Sequence, residues 1–131
     1  MIKDPTGLNE SNELTMTKKE KLLQQINEAF AKNNTEFIIK HVTDDISWTA
    51  VGDFTVEGKE ALNKALKSMQ SEEPYHLEIK NIITHGYSAA VDGLMKSADG
   101  KTYAFCDIYS FEGFTDPKIT EMTSYVIEIK E

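Results

Sequence analysis

Leu22, Leu23, Ile26, Ala29 and Phe30 recur at helical intervals, and Thr17-Lys18-Lys19-Glu20 ahead of them has the spacing of a capping box. This predicts an amphipathic helix reaching Asn33-Asn34. A second, short helix is expected from Thr35 through Phe37, Ile38 and His41 to Val42, ended by Asp44-Asp45. The pattern then turns to strand over Ile46 to Val51, a turn at Gly52-Asp53, and a return strand over Phe54 to Glu57. After Gly58, Ala61, Leu62, Ala65, Leu66 and Met69 mark a third helix that stops before Glu73-Pro74.

From there on the chain reads as strand. His76 to His85, Tyr87 to Lys96, Lys101 to Glu112 and Lys118 to Lys130 are β-branched or aromatic runs, with turns at His85-Gly86, Ala98-Asp99-Gly100 and Gly113 to Pro117. Three helices with a small hairpin, followed by a four-strand antiparallel meander, make an α+β layout with helices on one face of a sheet. Strands this long tend to curl, so the expected fold is a cone-shaped curved antiparallel sheet closed by the three helices around a pocket.

Length and composition narrow this further. At 131 residues the chain fits one domain, with residues 17–131 as the folded part and 1–16 as a polar, flexible tail in which Met16 stands as a candidate start. One cysteine, Cys106, excludes an intrachain disulfide. No apolar run is long enough to span a bilayer, and Met1-Ile2-Lys3-Asp4-Pro5 lacks the centre of a secretory signal, so the expectation is a cytoplasmic protein with no membrane partner. A net charge of -8 argues against nucleic acid as a partner. All 14 cations are lysines, which removes the bidentate clamp that arginine offers carboxylates and phosphates.

The candidate chemistry lies on the third long strand. Alternation puts Tyr103, Phe105, Asp107, Tyr109 and Phe111 on one face and Ala104, Cys106, Ile108 and Ser110 on the other. A concave face that meets helices across a gap needs the large residues, so Asp107 is expected inside, among aromatic rings. Burial there penalises its charge and raises its pKa, as in an acid that gives up a proton near neutrality. The alternative is an Asp107 that hydrogen-bonds a neighbouring tyrosine or strand-end amide for structural reasons. The opposite face is also apolar, with Cys106 and Ile108 joined by Tyr125 and Ile127 on the last strand. With no fourth helix to cover it, a homodimer through the outer sheet face is expected.

The chain resembles the nuclear-transport-factor-2-like superfamily, in its SnoaL-like branch of polyketide-cyclase relatives. The carriers are the helix order, Asp44-Asp45-Ile46-Ser47-Trp48, Val56-Glu57-Gly58-Lys59-Glu60-Ala61-Leu62, and Tyr109-Ser110-Phe111 leading to Pro117-Lys118-Ile119. The resemblance implies a cystatin-like cone with a pocket, and it specifies fold far better than activity. Asp107-Ile108-Tyr109-Ser110-Phe111 is similar to the strand of ketosteroid isomerase that carries a neutral, oxyanion-stabilising aspartic acid, and Asp107 falls on that acid. The same likeness implies that Met122, Ser124 and Val126 line the pocket, and Trp48 falls where SnoaL-like proteins commonly line theirs. The isomerase's base, however, falls at Thr49 or Ala50 and its first-helix tyrosine near Gln25 or Ile26, so steroid isomerisation is not expected. The aspartate–arginine–aspartate group of the epoxide hydrolases of this fold has no arginine here.

The remaining candidates have ordinary readings. His41, His76 and His85 show no metal-ligand spacing, Asp53 suits a turn, Asp92 reads as outward, and a lone tryptophan such as Trp48 more often packs in a core than stacks on a ligand. The functional expectation is a site for a small, mostly apolar molecule, without metal or organic cofactor. Asp107 is its catalytic candidate, as the acid of an isomerase, cyclase or dehydratase. Trp48, Tyr103, Phe105, Tyr109, Phe111, Met122, Ser124 and Val126 are its ligand-binding candidates. A non-catalytic binding or dimeric interaction module is the competing expectation.

Overall fold

The computed structural model describes residues 16–113 and 117–130. The expected tail, except for Met16, and most of the turn between Gly113 and Pro117 lie outside them. Three helices, α1 (Lys18–Ala31), α2 (Thr35–Lys40) and α3 (Lys59–Ser68), are combined with six strands. The strands are β1 (Val42–Ala50), β2 (Phe54–Glu57), β3 (His76–His85), β4 (Ser88–Lys96), β5 (Thr102–Phe111) and β6 (Ile119–Ile129). They form one curved sheet in the order β2-β1-β6-β5-β4-β3, giving the expected α+β class. No helix among the described residues is long and apolar enough to cross a membrane.

Local chemistry starts the helices where the pattern places them. Thr17 accepts from the Glu20 amide at 3.1 Å while the Glu20 carboxylate accepts from the Thr17 amide at 2.9 Å, a complete capping box. Leu22, Leu23 and Ile26 then enter the core. Before α3, Gly58 sits at φ 94 and its N–H donates to the Ile46 carbonyl at 2.7 Å, a backbone geometry a side chain would strain.

The second helix is shorter than its pattern implies. It stops at Lys40, Val42 is already the first strand residue, and Asp44-Asp45 lie inside β1 instead of ending a helix. The cause is an irregularity between Val42 and Ser47, where β1 carries five steps against two on β6, from Ile119 to Glu121. The surplus residues bulge outward and the acids face solvent, Asp44 3.4 Å from Lys59 Nζ and Asp45 accepting from Thr43 Oγ1 at 2.7 Å.

β3 to β6 form the antiparallel meander. The pairing of β1 with β6 is parallel, which inserts the last strand between the N-terminal hairpin and the rest of the sheet. The inner face of β5 holds Phe105, Asp107, Tyr109 and Phe111, all buried, while Ile108 on the outer face is exposed. Asp92 faces outward as expected, accepting from Asn81 Nδ2 at 2.8 Å.

Candidate functional site

The helices do not fill the concave face completely. A cavity of about 570 Å3 remains between α1, α2, the end of α3 and the inner faces of β1, β5 and β6. That is within the ~300–1,000 Å3 typical of sites for small organic molecules. Trp48, Phe30, Phe54, Phe105, Ile38 and Leu66 supply apolar wall. At the opening stand Val51, Met69 and Val126, each about half exposed, which accounts for three large apolar side chains in contact with water.

Asp107 lines this cavity and is 7% exposed. Its register partner on β6 is Ser124, which also hydrogen-bonds the carboxyl group. Tyr109 Oη donates to Asp107 Oδ2 at 3.3 Å. Behind these lies a second layer: Trp48 Nε1 donates to Ser124 Oγ at 2.9 Å, and Asn27 Nδ2 donates to Tyr109 Oη at 3.2 Å and to the Leu23 carbonyl at 2.8 Å. Burial pushes the Asp107 carboxyl up to about 6, partly offset by the hydrogen bonds from Ser124 and Tyr109. Tyr109 is pushed well above the usual tyrosine range, first by burial and then by the Asp107 charge, so it stays a proton donor. Cys106, on the other side of the strand, has its thiol pushed up by burial and by the Asp107 and Asp92 charges.

Of the residues singled out by sequence, Trp48, Tyr103, Phe105, Asp107, Ser124 and Val126 meet at the cavity. Tyr109, Phe111 and Met122 do not line it: they point inward but are buried against the helices and neighbouring strands. Tyr109 reaches the site only through its hydroxyl. Both readings of Asp107 describe part of its geometry, since it lines the cavity and also bonds a neighbouring tyrosine. Trp48 likewise lines the cavity while packing edge-on against Phe54, ring centroids 5.0 Å apart.

Asn27, Tyr75 and Glu128, which the sequence did not single out, also line the cavity, as does Asp53. Asn27 carried a legible signal, a polar residue one helical turn from Leu23 on an otherwise apolar face. Asp53 read as ordinary turn chemistry, and nothing local shows which way the β1–β2 turn leans. Ala50, one of the two positions where a catalytic base was sought, lines the cavity with only a methyl group.

Residues 23–122 match the model of the SnoaL-like domain family. Among solved structures the chain is similar to an NTF2-like protein of unknown function from Cytophaga hutchinsonii, with 28% identity, a TM-score of 0.61, and coverage of 83% of this chain and 99% of that one. An NTF2-like protein of unknown function from Burkholderia xenovorans has 19% identity and a TM-score of 0.72, covering 86% of this chain and 85% of that one. An LEH-like epoxide hydrolase of M. tuberculosis has 15% identity and a TM-score of 0.69, covering 83% and 82%. The last two likenesses are of fold alone. No curated protein sequence matches the chain.

Proposed function

Because the chain belongs to the SnoaL-like domain family, we propose that it takes up one small, mostly apolar molecule in the cavity and holds its polar end against Asp107. The observation that carries this is a buried carboxylate on the wall of an otherwise largely apolar space of about 570 Å3. A carboxyl group burdened by desolvation serves no packing purpose that an apolar side chain would not serve better. Native mass spectrometry of the purified protein tests the reading, together with calorimetric titration by 2-naphthylmethanol, a flat neutral probe. A single saturable site per chain is the expected result. Failure of every aromatic probe to bind, with no co-purified molecule, overturns it.

A second reading, cofactor-free isomerisation, cyclisation or dehydration, is favoured by the position of the Asp107 carboxyl at about 6, where a proton is exchanged readily near neutral pH. Its test is exchange of the acidic C–H of 2-tetralone into deuterated buffer, followed by NMR. Catalysed exchange that disappears in Asp107→Asn supports proton transfer, and exchange at the buffer rate leaves binding alone.

The outer sheet face calls for a partner of its own. Ile108, Tyr125, Ile127 and Ile129 are exposed there on adjacent strands, and we propose that a second copy of the chain covers them.

A further inference from the structure

The direction of the hydrogen bonds around Asp107 is set by groups with a single role, an indole N–H that can only donate and a carbonyl that can only accept. An indole N–H has no acceptor role, so Ser124 Oγ must accept from Trp48 at 2.9 Å, leaving the single Ser124 proton for the Asp107 carboxylate. On the other side, the Leu23 carbonyl can only accept, which identifies the Asn27 atom 2.8 Å from it as Nδ2. That nitrogen is also 3.2 Å from Tyr109 Oη, so the tyrosine accepts there and directs its own proton to Asp107 Oδ2 at 3.3 Å. Both chains therefore end on Asp107 with a donor. Were either hydroxyl to accept from a protonated carboxyl instead, its own proton would lose the acceptor that Asp107 provides.

The wiring favours a carboxylate over a neutral acid. An ionised carboxyl group accepts about four hydrogen bonds. Ser124 and Tyr109 occupy two, and the remaining capacity is offered to the cavity that Asp107 lines. The other titratable groups on the wall have the same sense: Asp53 and Glu128 are acids and Tyr75 and Tyr103 are phenols, with no lysine or histidine among the described lining residues. The chain has no arginine at all, and its net charge is -8.

We infer that the cavity selects an organic cation, a flat apolar body bearing a protonated amine, with the ammonium donating to Asp107 and entering past Asp53 and Glu128. The inference rests on the ligand-binding reading above and names the class of ligand. It differs from an oxyanion site, where the carboxyl must supply the proton and the ligand the acceptor.

Calorimetry with three probes of one shape separates the possibilities: 2-naphthylmethylamine, 2-naphthylmethanol and 2-naphthoate, each at pH 7.5. The amine is expected to bind at least tenfold more tightly than the carboxylate, with the alcohol between them. The amine preference is expected to shrink as the pH is lowered through about 6 in the unmodified protein, a measurement that needs no variant to fold. Asp107→Asn is expected to abolish most of it, and the pair Asp53→Asn with Glu128→Gln to lower it modestly. Equal or tighter binding of naphthoate overturns the cation assignment and leaves the pocket reading standing. An amine preference that survives both Asp107→Asn and acidification overturns the role of Asp107. Failure of all three probes overturns this inference and the pocket reading together.

Discussion

At the scale of single residues, Ser124 links the two functions of the buried polar group. It donates to Asp107 and accepts from Trp48, so Ser124→Ala removes a stabilising bond from the carboxylate and orphans an indole N–H. The expected outcomes are an Asp107 carboxyl raised further, seen by carbon-13 NMR of its titration, and a stability loss of about 1–3 kcal/mol in urea. Asp107 itself leaves a signature in the pH dependence of stability. Its folded-state value, about 6, lies above the usual 3.8, so the folded protein binds this proton more tightly than the unfolded chain. The associated stability is full below about 3.8 and is lost as pH rises to about 6, a change of roughly 3 kcal/mol. Comparing urea curves of the protein and Asp107→Asn from pH 4 to 7 isolates it: the difference between the two is expected to shift against the aspartate across that window and to be flat above it.

At the scale of elements, β3 and β4 approach so closely at one point that only glycine fits. A Cβ on Gly93 would lie 2.1 Å from the Glu78 carbonyl oxygen and 3.0 Å from Ile79 Cα, both backbone atoms, beside the bulge between Ile79 and Asn81. Gly93→Ala is expected to cost more than ~2 kcal/mol and to lower the melting temperature by several degrees in a thermal scan. Such a contact is invisible in sequence, where Gly93 is merely a gap in a strand. What was legible followed local pattern: the inner and outer faces of β5, the Phe54–Glu57 return strand and the Thr17–Glu20 capping box all stand as the sequence implies. What was not legible depends on neighbours far away in the chain. Nothing within Val42 to Ile46 reveals that β1 bulges against β6, and acidic residues there read as a helix stop. The same holds for Tyr109, whose ring belongs to the core while its hydroxyl belongs to the site.

At the scale of the whole molecule, the exposed apolar side chains fall largely into two groups with different expected fates. Val51, Met69 and Val126 ring the cavity mouth, where the proposed ligand would cover them in part. Ile108, Tyr125, Ile127 and Ile129 lie on the reverse of the sheet, where a second copy is proposed. Light scattering after size exclusion is expected to give twice the chain mass of 14.8 kDa, and Ile127→Glu to return the monomer. A monomer at high concentration overturns the dimer without touching the cavity, since residue 127 points away from it. The central seat of β6 has a consequence for synthesis. The hairpin of β1 and β2 leaves the ribosome early, yet its only long neighbour in the sheet is a strand about 70 residues further on. Until that strand arrives, Trp48 has no Ser124 to bond, Asp107 has one donor fewer, and both halves of the sheet present an open edge. Docking of β6 thus covers the edges of β1 and β5 and completes the polar group around Asp107 in one step, leaving β2 and β3 as the edges of the sheet.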